Sequence, residues 1–512
     1  MAETIRALLS SHDAGRPALG APGRPWLSYG DLRSLCDRTR NALAEYGVGR
    51  GDRVAIVLPN GPEMAASFIA VACAAVTAPL NPAYRKDEFL FYLSDLGAKA
   101  IILPQGYAGP AMEAATEAGL TILRLSFNEA DPAGSFSLSS EGGSVSLASA
   151  TPNDPKPTDI ALILHTSGTT SRPKIVPLLQ SNVAASANHI RESLRLTSED
   201  RCLNMMPLFH IHGLVAAVSS SLSAGASVWC TPGFDALRFF GWLDSAAASW
   251  YTAVPTMHQT ILARAGRNAE IIARNPLRFI RSSSASLPAQ VMQELSGTFG
   301  APVIEAYGMT EAAHQMASNP LPPREQKPGS VGVAAGPQVR VAHEVENRLV
   351  EGIGEVVISG PNVTPGYEAN PDANAKSFFQ ADGHRWFRTG DQGVLDGEGY
   401  LSLTGRLKEI INRGGEKVSP LEVDGVLMDH PAIQQVVTFG MPHAKLGEEV
   451  AAAVVLREGH EASEAAIRTF AAERLADFKV PRRVILLEEI PKGATGKLQR
   501  IGLAEKLGLS GN

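Results

Sequence analysis

Short apolar, β-rich runs alternate with amphipathic stretches along most of the chain. Val54-Ala55-Ile56-Val57-Leu58 reads as a strand, closed by the breaker Pro59-Asn60-Gly61-Pro62, after which a helical pattern begins. The theme returns at residues 100–103, 160–164, 227–230, 250–254, 279–281 and 302–305. Such alternation predicts α/β layers with largely parallel strands. From about Gln338 the texture changes to short strands with Gly-rich turns, as in Gly354-Glu355-Val356-Val357-Ile358 and Gly399-Tyr400-Leu401-Ser402-Leu403. That predicts a smaller β unit, a distorted barrel. After Gly405-Arg406 the αβ pattern resumes, which places a domain boundary at 404–408. The Ser/Gly-rich residues 134–149 read as a surface loop.

Composition narrows the class. The 512 residues are too many for one core of roughly 250–300 residues. The chain is 44% hydrophobic, which excludes wholesale disorder, and its net charge of −6 argues against a nucleic-acid partner. Residues 65–80 are the most apolar stretch, but fall short of the ~20 residues of a membrane span, so a buried helix is expected. Cys36, Cys73, Cys202 and Cys230 are widely spaced and form no CxxC pair, which reads as free buried thiols. With no signal-peptide pattern at the N-terminus, a cytoplasmic protein is expected.

The candidate chemistry begins at His165-Thr166-Ser167-Gly168-Thr169-Thr170-Ser171-Arg172-Pro173-Lys174, directly after a predicted strand. Hydroxyls and exposed N–H groups can donate to phosphate oxygens, Gly168 admits close backbone approach, and Lys174 adds charge. The spacing is not that of a Walker A loop. Composition alone also suits a Ser/Thr-rich surface turn.

The stretch resembles the TSGTTGxPKG signature of the adenylate-forming superfamily, with Ser171 and Ile175 where glycines are common. Five further stretches resemble that family's motifs in order: residues 207–213 (PLFHIHG), 305–311 (EAYGMTE), 386–391 (WFRTGD), 405–409 (GRLKE) and 491–497 (PKGATGK). The resemblance implies a large N-terminal domain over 1–404, of layered α/β structure plus a small β-barrel. It also implies a small mobile α+β C-terminal domain over 405–512, with a hinge near Lys408. The implied reaction joins a small carboxylic acid to ATP with Mg2+, and then passes the acyl group to the thiol of coenzyme A. No membrane insertion is expected.

The resemblance also implies roles. Thr166, Ser167, Gly168, Thr169, Thr170 and Lys174 hold phosphates. Ser284, Ala285, Ser286, Glu305, Ala306 and Tyr307 form the adenine side, with Tyr307 stacking on the base. Thr310 bonds the α-phosphate, Glu311 takes Mg2+, Asp391 accepts from the ribose hydroxyls, and Arg406 contacts ribose or phosphates. Lys497 screens the two reacting anions, and Gly414 and Gly415 line the pantetheine path. For the acid, His210, His212, Ser282, Ser283 and Ser284 suit a small polar substrate, because burying unpartnered hydroxyls beside an alkyl tail costs roughly 1–3 kcal/mol. Residues 165–174, 250–259, 279–287, 305–322 and 411–420 look most like the oxalate–CoA ligase group, which implies oxalate. Malonate or another short acid, and a stand-alone adenylation domain loading a carrier protein, are the alternatives.

Overall fold

The computed structural model describes residues 2–140, 152–166, 173–491 and 498–509. Two large sheets carry the N-terminal part. The first has seven strands in the order Ser137–Ser140, Thr121–Ser126, Ala100–Pro104, Arg53–Ile56, Val76–Pro79, Ile160–His165, Ile175–Leu179. Its five inner strands are parallel and both edges antiparallel. The second has nine strands, with a parallel centre running from Val303–Met309 through Phe279–Ser283, Trp250–Ala253, Arg201–Asn204 and Ser227–Cys230 to Pro17–Gly20. Every residue of Phe279–Ser283 is buried, as expected of a parallel strand covered on both faces.

The apolar stretch at 65–80 is a helix followed by a strand. The helix Pro62–Ala72 starts with proline in its first turn and is buried almost throughout. It touches strands of both large sheets, which explains why it needs no polar face. Among the described residues no helix is long and apolar enough to cross a membrane.

The β unit after Gln338 is an antiparallel five-stranded sheet. Its long strand His384–Leu395 pairs with Gly354–Ser359, Phe378–Ala381 and Leu401–Arg406, while Gln338–Ala342 forms the edge. A further five-stranded sheet follows, built on the hairpin Ile433–His443/Gly447–Leu456 and backed by the helices Pro420–Met428 and Glu464–Ala472. One expectation needs correction. Part of 134–149, expected as a loop, is the edge strand Ser137–Ser140, paired antiparallel with Thr121–Ser126. Its residues alternate between exposed and half-buried, so a polar segment adds a strand at a solvated edge without an apolar run.

Candidate active site

Most motif residues gather where strands of the nine-stranded sheet end and the β unit begins. Strand Val303–Met309 carries Glu305, Ala306 and Tyr307, and a 3-10 turn, Thr310–Ala312, holds Thr310 and Glu311. The chain then doubles back as His314–Ser318. This reversal requires Gly308, because a Cβ there would lie 2.0 Å from the carbonyl oxygen of His314. Ala313 and His314 take positive φ values of 47° and 101°, backbone that non-glycine residues seldom adopt outside functional turns.

Asp391 joins Tyr307 to Arg406. Its carboxylate accepts from the Tyr307 hydroxyl on one oxygen and from Arg406 Nε, at 2.8 Å, on the other. The strand register delivers this contact, since Asp391 stands opposite Arg406. Gly390, at φ 75°, turns the chain just before Asp391. A buried Arg388–Glu355 ion pair braces the turn, with Glu355 Oε1 accepting from Gly390 N–H at 2.9 Å. Asp391 raises the affinity of Arg406 for its proton, whereas burial followed by the Asp391 charge pushes the Tyr307 phenol up. Tyr307 therefore stays neutral and donates.

Glu311 is buried, and burial raises its carboxyl above the ordinary value. The Tyr367 hydroxyl, Lys174 and Arg406 pull it partly back. Tyr367 donates to Glu311 Oε1 at 2.7 Å, and Lys174 Nζ sits 4.3 Å over the Tyr367 ring. Tyr367 thus joins Lys174 to Glu311, a contact no motif signalled. Burial lowers the Lys174 ammonium pKa, while Glu311 opposes that shift. Thr166 N–H donates to Lys174 O at 3.0 Å. Ser167, Gly168, Thr169 and Thr170 lie outside the described residues, as does Lys497.

Among the described residues no three His, Cys, Asp or Glu side chains group to hold a metal. Glu311 is a lone buried carboxylate, a donor set that suits Mg2+ arriving with nucleotide phosphates rather than a closed protein cage.

The acid-pocket candidates divide. His212 opens a buried π-helix, His212–Ser219, a rare form that often marks functional sites. Its Nδ1 lies 3.0 Å from Ser284 Oγ and its Nε2 2.6 Å from Thr252 Oγ1. The His314 ring is 5.1 Å away, centroid to centroid. Ser284 follows the strand Phe279–Ser283 at φ 76° and is half-buried, and the exposed Ala285 and Ser286 come next. Ser283, in contrast, is fully buried and donates to Ala306 O at 2.8 Å, so its proton is spent on the neighbouring strand. Ser282 Oγ is buried without a hydrogen-bond partner among the described residues. His210 is half-buried, its Nδ1 3.4 Å from the His212 N–H. Glu305 is also buried, Oε1 accepting from Leu287 N–H at 2.8 Å and Oε2 unpaired, and burial raises its carboxyl to about 8.

Lys408 follows Arg406 in an exposed turn, beyond which Gly414 and Gly415 form the tip of the hairpin Ile411–Arg413/Glu416–Val418. Both glycines have positive φ, 60° and 99°, as a tight two-residue hairpin turn demands. Lys417, in the same hairpin, reaches Glu344 of the β unit at 2.9 Å.

Sequence profiles of two families match the chain: AMP-binding enzyme over residues 10–368, and AMP-binding enzyme C-terminal domain over residues 422–497. The chain is 46% identical to an oxalate–CoA ligase of Arabidopsis thaliana over 95% of its length and 94% of the relative's. It is 41% identical to an oxalate–CoA ligase of Saccharomyces cerevisiae, over 90% of this chain and 88% of that one. In structure it resembles ATP-bound MatB from Rhodopseudomonas palustris, with TM-score 0.87, 30% identity and 99% of each chain covered. On this evidence the chain belongs to the AMP-binding enzyme family, as an ATP-dependent acid–CoA ligase that works through an acyl-adenylate.

Proposed function

We propose that the acid is oxalate: oxalate, ATP and CoA are converted to oxalyl-CoA, AMP and diphosphate. One carboxylate oxygen of oxalate attacks the α-phosphorus and diphosphate leaves. The CoA thiol then attacks the acyl carbon and AMP departs with the oxygen that bridged them. The observation that carries the reading is the polar series Thr252, His212 and Ser284, hydrogen-bonded in turn and ending at the half-buried Ser284 hydroxyl, which suits a short polar acid better than an alkyl tail. The two oxalate–CoA ligases similar over most of their lengths support the same choice.

In this reading Tyr307 stacks on adenine, Ala306 contacts it through backbone, and Asp391 accepts from ribose. Thr310 and Lys174 hold phosphate oxygens, Glu311 holds Mg2+, and bound Mg2+ neutralises phosphate charge. Lys497 screens the two anions in the first step. The C-terminal domain, from residue 405, turns about Lys408 to bring Gly414 and Gly415 to the thiol. Residues 1–404 carry the ATP and acid sites. We place the enzyme in the cytoplasm, supported by four buried free cysteines.

The test is CoA-dependent AMP release over a panel of oxalate, malonate, acetate, sulfoacetate, benzoate and a medium-chain acid. Oxalate is expected to give the highest kcat/KM. Best turnover with a medium-chain or aromatic acid, and none with oxalate, would refute the substrate assignment.

A further inference from the structure

We infer that Arg281 is a positioning residue for the acid: a buried cation that orients His212 and Ser284 and places a fixed positive charge behind the pocket. Arg281 is fully buried in strand Phe279–Ser283. Its neighbours are neutral and distant. Nη1 lies 3.5 Å from His212 Nε2 and 3.5 Å from Thr252 Oγ1, and Nη2 3.3 Å from Gln315 Oε1. Nε has no hydrogen-bond partner among the described residues. No carboxylate among the described residues lies within ion-pair distance, although a buried guanidinium is ordinarily matched by one. Burial accordingly pushes its pKa down to about 9. A cation so poorly compensated inside the protein is a cost to the fold, and an incoming anion is the natural counter-charge.

The hydrogen-bond directions follow from valence. A guanidinium only donates. Thr252 Oγ1 and His212 Nε2 both face Arg281 Nη1 at 3.5 Å, so both accept from it, and the Thr252 hydroxyl proton goes to His212 Nε2, 2.6 Å away. With Nε2 accepting, the ring carries its proton on Nδ1, which donates to Ser284 Oγ at 3.0 Å. Ser284 then has its hydroxyl proton left to give to the acid. A second proton on His212 would set an imidazolium against the guanidinium, so the chain runs one way. Gln315 fixes the other end: its Oε1 faces Arg281, while its Nε2 donates to Ser193 Oγ at 2.9 Å and Ala335 O at 3.1 Å.

The inference rests on the acid site proposed above but not on oxalate itself. Oxalate turnover by the wild-type chain tests the substrate reading separately. The variants Arg281→Met, Arg281→Gln and Arg281→Lys are assayed with whichever acid the wild type uses best. Met and Gln are expected to raise the KM for the acid at least tenfold, to leave the KM for ATP within about threefold, and to leave the melting temperature of the unliganded protein equal or higher. The last effect is one that a purely structural arginine would reverse. Lys, which keeps the charge, is expected to recover most of the acid KM. Equal rises in both KM values, a lower melting temperature or failure to fold in both neutral variants, or no recovery with Lys, would overturn the assignment.

Discussion

Replacing Tyr367 by Phe removes one oxygen and keeps the ring beneath Lys174, so it isolates the hydrogen bond to Glu311. A hydrogen bond to a charged group contributes about 1.5–3 kcal/mol. At 1.36 kcal/mol per pKa unit, its loss should raise the Glu311 pKa by roughly one to two units beyond the increase that burial already causes. The sign follows from the two effects: burial disfavours the carboxylate, and the phenol favours it. A carboxylate that binds Mg2+ with ATP must be ionised, so the acid limb of kcat/KM for Mg·ATP should move upward by roughly one to two pH units. Above that limb the variant should approach wild-type rates. The assay is initial-rate pyrophosphate release between pH 5.5 and 9 at saturating acid. Unliganded Y367F should also be less stable than wild type at neutral pH, and the difference should shrink on acidification as Glu311 takes up its proton. An unmoved acid limb, or a uniform rate loss at every pH, would refute the role given to Tyr367.

Asp391→Asn removes the charge that Arg406 and Tyr307 share, and one acceptor facing a donor becomes an amide. The KM for ATP should rise at least tenfold with the acid KM little changed; equal effects on both substrates would contradict the ribose assignment. Gly308→Ala places a Cβ against the backbone of His314, which cannot yield as a side chain could. Overpacking of this kind costs at least ~1–3 kcal/mol, so a clear fall in melting temperature is expected, and an unchanged one would show that the reversal tolerates a side chain. Lys497→Ala and Gly415→Leu should separate the half-reactions. The first should lose adenylation yet convert supplied acyl-AMP to thioester, and the second should release pyrophosphate but fail with CoA; matching losses in both steps would sink the pair of assignments.

Much of this arrangement was legible because the chemistry sits in short motifs at strand ends. Tyr307 and Glu311 lie far in sequence from Asp391 and Arg406, yet each motif carries its own turn-forming glycine, and sheet register brings them together. What escaped the sequence depends on contacts between segments. Tyr367 stands in an ordinary Pro-Gly-Tyr turn and gains meaning only through Glu311 and Lys174. Glu355 and Arg388 look like surface charges on β strands until burial pairs them behind Gly390. The π-helix at His212 has no compositional mark, since its residues would equally suit an α-helix. Ser283 illustrates the converse. A serine in a polar run suggested a wall of the acid channel, but strand alternation turns it to Ala306 on the adjacent strand and leaves Ser284, one residue on, at the open end. The net charge of −6 is no guide to the sign of the substrate, because local cations such as Lys174, Arg281 and Arg406 are independent of the total.

The central claim is adenylation of oxalate, and oxygen transfer tests it most directly. Incubation with 18O-labelled oxalate, Mg·ATP and CoA, followed by mass spectrometry of the nucleotide, should give AMP carrying one 18O from the carboxylate that attacked phosphorus. Diphosphate should be unlabelled, and oxalyl-CoA should appear in equal amount. Oxalyl-CoA formed with unlabelled AMP, or label in diphosphate or phosphate, would contradict an acyl-adenylate route, and absence of oxalyl-CoA would contradict the substrate.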